Sequence, residues 1–164
     1  MKLLVTSLLI AMVAIPHSTL ELRQPDPSDA TLGLKIDTIL PDGRIDVSLE
    51  NLTQRTVRIW RWSNSWGADR WRVLRISGGK LQTFIENPHR IFSRNIPGYD
   101  ELSAGAKMSF TFDLNSSNWG TRGTEPVKFE RGDIIIVVYD VPWMSDVRDL
   151  NVWNGVTTAL GSVP

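Results

Sequence analysis

The chain has 164 residues, of which 41% are hydrophobic and 22% charged, and its formal net charge is zero. This length and composition fit one globular domain with its own core and exclude a disordered or fibrous chain. The absence of cysteine excludes disulfide bridges, thiolate zinc sites and cysteine nucleophiles, so the fold must depend on its hydrophobic core.

The first twenty residues are predicted to be a secretory signal peptide. Lys2 precedes the apolar run LLVTSLLIAMVAI, and the helix-breaking Pro16 follows it. The run is too short to span a bilayer comfortably, which is typical of a cleaved leader. We therefore predict a leader at residues 1–20, a flexible lead at 21–30 and one domain at 31–164, in a secreted, periplasmic or cell-envelope protein with no stable membrane span after cleavage. An uncleaved anchor or a first strand is the alternative for the leader.

Apolar residues recur with a period of two along the rest of the chain, which is typical of half-buried β-strands. Pro41-Asp42-Gly43 separates two alternating segments and predicts a turn. Gly78-Gly79 predicts a two-residue hairpin, because two glycines allow the positive φ angles that such turns require. The strands predicted from alternation and turn signals cover residues 32–36, 45–49, 56–62, 71–77, 80–86, 108–114, 134–139 and 151–160, and a short stretch at 99–102 precedes the turn at 103–105.

The connections between these strands indicate the fold class. Residues 134–139, IIIVVY, are apolar on both faces and are predicted to form a central strand. Residues 115–132 are polar and contain Gly and Pro, so we expect them to cross from one sheet to another, while residues 63–69 and 87–98 are predicted to be loops. About seven to nine short strands with no major helix after the leader favour an all-β fold, a two-sheet antiparallel immunoglobulin-like sandwich.

Five short motifs follow one another along the chain: Asn51-Leu52-Thr53, Val57-x-Ile59-x-Arg61-Trp62, Leu102-Ser103-Ala104-Gly105, Phe112-Asp113-Leu114 and Trp153-Asn154-Gly155. Their order resembles small immunoglobulin-like modules of exported microbial proteins, and it is similar to BsuPI-type proteinase inhibitor domains and to β-modules attached to some metalloproteases. The resemblance covers residues 30–160. It implies a β-sandwich and, by analogy, binding of a protease, with no inhibitory loop assigned to particular residues. Those modules carry Leu-x-Pro-Gly where this chain has Ala104 in place of the proline.

Charge is distributed unevenly although the net charge is zero. Residues 55–94 contain nine Lys or Arg against two acidic residues, whereas residues 20–54 and 99–164 are each acidic. The acidic flanks can neutralise the basic segment in the folded chain; the alternative is a patch that faces an anionic partner.

Residues 55–75 contain four of the seven tryptophans and six arginines. On a strand over residues 56–62, Trp60 and Trp62 share one face, and Val57 and Ile59 the other. Either the tryptophans are displayed as an aromatic strip, or they point into the core and the arginines cover them as cation–π partners. Trp66 lies in the polar segment SNSWGAD and is predicted to be a contact residue, because a tryptophan at a loop tip is hard to bury.

Catalytic and metal-binding motifs are missing from the sequence. Its two histidines are His17 and His89, and it has no HExxH, GxSxG, P-loop or dinucleotide motif, so we predict a non-catalytic protein without a cofactor or a metal. Asp140, Asp146 and Asp149 lie in one predicted loop, but their spacing does not match a calcium-binding loop. Other carboxylates lie at turns and on strand exteriors, where they are expected to solvate the surface.

Two segments match the N-glycosylation sequence, Asn51-Leu52-Thr53 and Asn115-Ser116-Ser117. Both lie on predicted turns. They are glycosylation acceptors if the host is eukaryotic and polar turn residues if it is bacterial, and we favour a bacterial source.

Three functions fit these features. The first is an exported binding module that recognises a protein partner, such as a protease, through its loops. The second is binding of a carbohydrate or a polyanion by the Trp- and Arg-rich residues 58–75, and the third is a structural subunit of an extracellular or envelope assembly that pairs through a sheet edge. Nucleic acid is not an expected partner. The candidate binding residues are Trp62, Trp66, Arg70, Trp71, Arg72, His89, Arg90 and Arg94.

Overall fold

The computed structural model describes residues 32–86, 97–120, 126–143 and 150–164. Within these ranges the chain is all-β, with nine strands of four residues or more, one two-residue strand and a single helical turn. The predicted fold class is confirmed at this level. The elements are β1 (Leu32–Ile39), β2 (Arg44–Asn51), β3 (Val57–Trp60), α1 (Ser65–Ala68), β4 (Trp71–Ser77), β5 (Lys80–Glu86), β6 (Tyr99–Leu102), β7 (Lys107–Asp113), β8 (Trp119–Gly120), β9 (Ile134–Val141) and β10 (Gly155–Ser162).

The first sheet has three antiparallel strands in the order β1-β2-β7. The predicted turn between β1 and β2 is confirmed, since the N–H of Gly43 donates to the carbonyl of Leu40 at 3.1 Å and Gly43 has a φ of 90°. A bulge between Ile36 and Thr38 shifts the register of β1 against β2.

The second sheet has five antiparallel strands in the order β10-β9-β4-β5-β8. The predicted two-residue hairpin joins β4 to β5, with φ of 53° at Gly78 and 76° at Gly79. β9 lies between β10 and β4, so the predicted central position of its apolar sequence is confirmed. The chain crosses from the first sheet to the second between β7 and β9, as expected for residues 115–132.

A third sheet consists of β3 and β6 alone. It continues the β2–β7 pair beyond a corner at Asn51, since β3 follows β2 in the chain and β6 precedes β7. The described strands therefore form three sheets, not the two that were predicted. β3 is also shorter than predicted, because it ends at Trp60 and the chain then turns into α1.

The core lies where buried side chains of all three sheets meet. The predicted inward residues of β7 are confirmed at Phe110 and Phe112, which are buried, while Met108 is half-buried. Opposite them, the second sheet contributes the alternate residues of its central strands. These buried residues are Trp71, Val73, Ile135, Val137, Tyr139 and Val141.

Candidate interaction surface

Trp71 is a core residue, so the prediction that it binds a partner is wrong. It begins β4 on the inward side and is 2% exposed. Its ring centroid lies 4.8 Å from that of Phe110, 5.2 Å from that of Phe112 and 4.4 Å from that of Tyr139. These are the distances of packed aromatic pairs, and they tie the first sheet to the second.

Trp62 is half-buried, and both its ring and its indole nitrogen contact other residues of the fold. The ring packs edge-on against Phe110 and Phe112 at centroid distances of 5.4 and 5.5 Å. Its Nε1 donates to the carboxylate of the buried Glu86 at 2.5 Å. Trp62 lies beyond the end of β3 and seals the margin of the core, with only part of its ring in contact with solvent.

The predicted display of an aromatic strip is wrong, because Trp60 is buried and Trp62 packs against Phe110. The alternative arrangement, in which these tryptophans point into the core, is borne out. Ile59 and Trp60 point to opposite sides of the strand, and both are buried. Trp66 covers Trp60, with its ring stacked at a centroid distance of 5.7 Å and an interplanar angle of 28°. Trp66 is therefore half-buried against the core and does not occupy a loop tip.

The segment around Trp66 was predicted to be a polar loop, but it forms the helical turn α1. Asn64 caps this turn, because its Oδ1 accepts a hydrogen bond from the N–H of Gly67 at 3.0 Å. Gly67 packs so closely that an added Cβ would lie 2.3 Å from the carbonyl oxygen of Arg61. Glycine at this position allows α1 to approach the preceding chain and brings Trp66 onto Trp60.

The arginines of the basic segment pair with acidic residues of the C-terminal flank. The pairs are Arg58–Glu101 at 3.1 Å, Arg61–Asp100 at 3.0 Å, Arg72–Asp140 at 3.3 Å and Arg75–Asp133 at 2.6 Å. The C-terminal acidic flank thus neutralises four of the nine basic residues of the segment. The predicted anion-facing patch therefore loses much of its free positive charge.

Two cation–π contacts within the described ranges have a tyrosine and a phenylalanine as their aromatic partners. The guanidinium of Arg58 lies 4.4 Å from the ring centroid of Tyr99, and that of Arg75 lies 5.7 Å from the ring of Phe129. Arg70 donates from Nε to the carbonyl oxygen of Trp66 at 3.0 Å. Arg70 thus supports α1.

Three of the candidate binding residues, His89, Arg90 and Arg94, lie outside the described residues. Asp146 and Asp149 of the excluded calcium loop lie there too. No group of three or more His, Asp or Glu side chains is arranged for a metal ion in the part of the chain that the structure describes. No helix within the described ranges has the length and apolar character needed to cross a membrane.

The outward face of the five-stranded sheet is aliphatic. Every second residue of β4, β5, β9 and β10 points away from the core, and the register aligns these residues in rows across the sheet. One row contains Leu160, Ile136 and Leu74, and the next contains Ile134, Ile76 and Leu81. We call the following nine residues the aliphatic face: Leu74, Ile76, Leu81, Ile85, Ile134, Ile136, Val138, Val156 and Leu160.

The aliphatic face is open to solvent. Leu160 is 73% exposed, Leu81 is 64% exposed, and the residues of the two central strands are partly shielded by their neighbours. Four strands about 4.8 Å apart, with a rise of about 3.3 Å per residue, give this side of the sheet, with its polar residues included, an area of roughly 400 Å². Single exposed apolar residues are ordinary on a protein surface, but contiguous patches of about 300–600 Å² are the largest on typical monomers and often mark interaction sites.

Polar residues lie within this face as well as at its margin. Arg72 points outward between Val138 and Ile85 in the same row, and it pairs with Asp140, so the two add no net charge. Thr158 and Ser162 lie on the outward side of β10, and Thr83 lies on that of β5. An aliphatic centre with a polar margin is the usual composition of a protein–protein interface.

The sequence contained a signal for this face, but the apolar run that carries it was interpreted as a strand covered on both sides. Residues 134–139 are apolar on both sides, which is typical of a strand covered by two layers. Only the inward residues are covered in the structure, and Ile134, Ile136 and Val138 are left at the surface. Leu74 and Ile76 repeat the pattern on the neighbouring strand, and the agreement of two adjacent strands is the signal for an apolar surface.

Asn51 is a buried corner residue, so its side chain is not available as a glycosylation acceptor in the folded chain. It is 0% exposed. Its Nδ2 donates to the carbonyl oxygens of Arg55 and Leu102 at 2.7 and 2.8 Å, and its Oδ1 accepts from the N–H of Thr53 at 2.9 Å. Asn115 is also engaged, since its Nδ2 donates to the carbonyl oxygen of Asp42 at 2.7 Å.

Comparison with known proteins does not place the chain in a family. No protein-family model matches the sequence, and neither a curated protein nor a solved structure matches it. The resemblance to immunoglobulin-like inhibitor modules therefore remains a prediction from the five motifs.

Proposed function

We propose that this chain is an exported, non-catalytic interaction module that binds a protein partner through the aliphatic face. The observation that supports this function is a set of nine aliphatic side chains on one side of one sheet, five of them exposed and four half-buried. About two thirds of the outward positions are aliphatic, so burying this side removes roughly 250 Å² of apolar surface from water and contributes at most about 6 kcal/mol before the cost of association. Export is the part of the proposal that depends on the signal sequence at residues 1–20.

The proposal includes an immunoglobulin-like arrangement of the sheets. In it, the first sheet and the β3–β6 pair form one layer, and the five-stranded sheet forms the other. The chain order supports this reading, because β2 pairs with β7 in the first sheet while β4 pairs with β9 in the second. The buried Trp71 also fits. It lies on β4, which is the third strand when the short β3 is left out of the count, and a core tryptophan on that strand is a feature of such sandwiches.

The aliphatic face is a better candidate than the Trp- and Arg-rich segment. Trp62, Trp66 and Trp71 pack against other aromatic rings, and Arg72 is engaged by Asp140. Stacking on a sugar or gripping a polyanion would require these groups to exchange contacts that hold the fold together. Binding through the aliphatic face would leave those contacts in place.

Site-specific photo-crosslinking in the exporting organism tests the proposal. A photoreactive phenylalanine analogue is introduced at position 160, because Leu160 is the most exposed residue of the face, at 73%. The matched control carries the same analogue at position 52, because Leu52 is also exposed, at 53%, but lies in a turn away from the face. We expect a discrete cross-linked protein adduct from position 160 and none from position 52. Equal cross-linking from both positions, or none from position 160, would refute binding through this face.

A further inference from the structure

We infer that the partner on the aliphatic face is a second copy of this chain, packed face to face about a two-fold axis. This inference rests on the proposed function, since it names the partner of the same surface. In a two-fold contact each residue of one copy meets the same surface on the other, so the surface must be complementary to itself. The composition, charge and area of the face all meet this requirement.

The chemistry of the face is self-complementary. Its centre is uniformly aliphatic, with Leu74 and Ile136 side by side on adjacent strands, so any two copies present apolar surface to each other. Its charged groups, Arg72 and Asp140, are one cation and one anion. The two pair with each other within each copy, so neither copy presents a net charge to the other. A partner of strong net charge would find no complementary charge on this face.

The area of the face suits an association of moderate strength. A standard interface buries about 800 Å² on each partner, with an apolar centre and a polar rim. The outward side of β5, β4, β9 and β10, with its polar residues included, supplies roughly half of that area. Two twisted sheets that pack in this way lie about 10 Å apart with their strands about 30° from parallel. We therefore expect a dimer that dissociates in the micromolar range.

The chain's own lead segment is a poor occupant of the face. Residues 21–30, ELRQPDPSDA, contain four charged side chains and two prolines but only one leucine. A segment of this composition does not replace water over nine aliphatic side chains, since its charged groups would have to be desolvated. A second aliphatic face buries apolar surface on both sides at once.

Sedimentation velocity of the purified, processed protein over a concentration range of about 1 to 300 μM tests the inference. We expect a monomer at low concentration and a dimer at high concentration. Leu81→Glu and Leu160→Glu each bury an unpaired carboxylate of both copies in the apolar interface, and each is expected to weaken the dimer at least tenfold. Leu52→Glu, the matched control at an exposed leucine off the face, is expected to leave the dimer unchanged. Hydroxyl-radical footprinting should show Leu81 and Leu160 protected only at concentrations where the dimer forms.

The outcomes separate this inference from the proposed function. A protein that remains monomeric throughout, with Leu81 and Leu160 reactive and with a heterologous adduct at position 160, overturns the second copy and leaves a face that binds another protein. A monomer in which both leucines are protected until residues 1–31 are deleted overturns both, because the chain would cover its own face. A dimer unaffected by Leu81→Glu and Leu160→Glu also overturns the inference, because it would form through another surface.

Discussion

Asn51 is the residue on which the corner between β2 and β3 depends. Its side-chain amide forms hydrogen bonds with two backbone carbonyls and one backbone N–H. One of the two carbonyls belongs to Leu102, on a strand that is far away in sequence. Replacing it with alanine leaves these buried groups unpaired, at about 1–3 kcal/mol for each unsatisfied group. We expect Asn51→Ala to lower the free energy of unfolding by about 2–4 kcal/mol, measured by urea denaturation. Asn118→Ala, at an exposed position, is the control and should change stability by less than about 0.5 kcal/mol.

Asp133 forms the most buried ion pair of the described chain. Burial by itself would raise the pKa of this carboxyl, but the N–H of Glu130, the hydroxyl of Ser77 and the guanidinium of Arg75 outweigh it and hold the pKa below the usual aspartate value. The folded chain therefore binds a proton at Asp133 less readily than the unfolded chain does. Its contribution to stability is complete above the unfolded-state pKa of about 3.9 and is lost as the pH falls through the lower folded-state value.

Asp133→Asn tests this pH dependence. At pH 7 the substitution leaves the guanidinium of Arg75 buried without its anion, and we expect a loss of about 3–5 kcal/mol. The difference between variant and wild type should shrink as the pH is lowered toward about 3, because the wild type then loses the same interaction. Asp42→Asn removes an exposed pair with Arg44 and should have a much smaller effect at both pH values. A difference that stays constant with pH would show that the Asp133 carboxylate is not the group responsible.

At the level of elements, β9 has one covered side and one open side. Ile135 is fully buried, and its neighbour Ile136 points outward and is partly exposed. Ile135→Ala should cost about 2–5 kcal/mol through lost burial and a cavity. Ile136→Ala in the monomer should cost well under half as much, because no packed layer collapses around it. Thermal or urea unfolding at low protein concentration measures both variants, and equal costs would mean that a second layer covers the outward side.

Local rules predicted most of the elements, and long-range contacts decided the rest. The turns at Gly43 and Gly78-Gly79, and the inward residues of β7, follow from turn chemistry and alternation, which are encoded within a few residues. The corner at Asn51 depends on a hydrogen bond to Leu102, which sequence pattern does not reveal. α1 was missed because Ser, Asn and Gly around Trp66 are typical of loops, whereas the stack on Trp60 is a tertiary contact.

The candidate site was missed for a related reason. Apolar residues on both sides of a strand predict that both sides are covered, but they do not say whether the covering layer belongs to the same chain. Residues 58–75 were predicted to be a binding surface instead, since tryptophan and arginine are common in such surfaces. In this chain they also have partners within the fold, and Arg58 bonded to Glu101 and Trp62 packed on Phe110 are examples.

On the scale of the whole molecule, the pairing of charges predicts how the protein behaves toward polyanions. Its net charge is zero, and four arginines of the basic segment are matched by acids from the C-terminal flank. An excess of free cations is what retains a protein on heparin, through release of counterions. We therefore expect the protein to leave a heparin column at or below about 0.15 M salt, where the screening length is about 8 Å.

A charge-matched comparison completes this test. Asp100→Asn combined with Glu101→Gln removes the partners of Arg61 and Arg58, and this variant should elute from heparin at higher salt than the wild type. Asp46→Asn combined with Glu130→Gln raises the net charge by the same amount outside the basic segment, so it should shift elution less. Equal shifts would show that heparin responds to net charge alone. Strong retention of the wild type would instead show that the ion pairs of the segment open readily and that its arginines are free to bind an anionic partner.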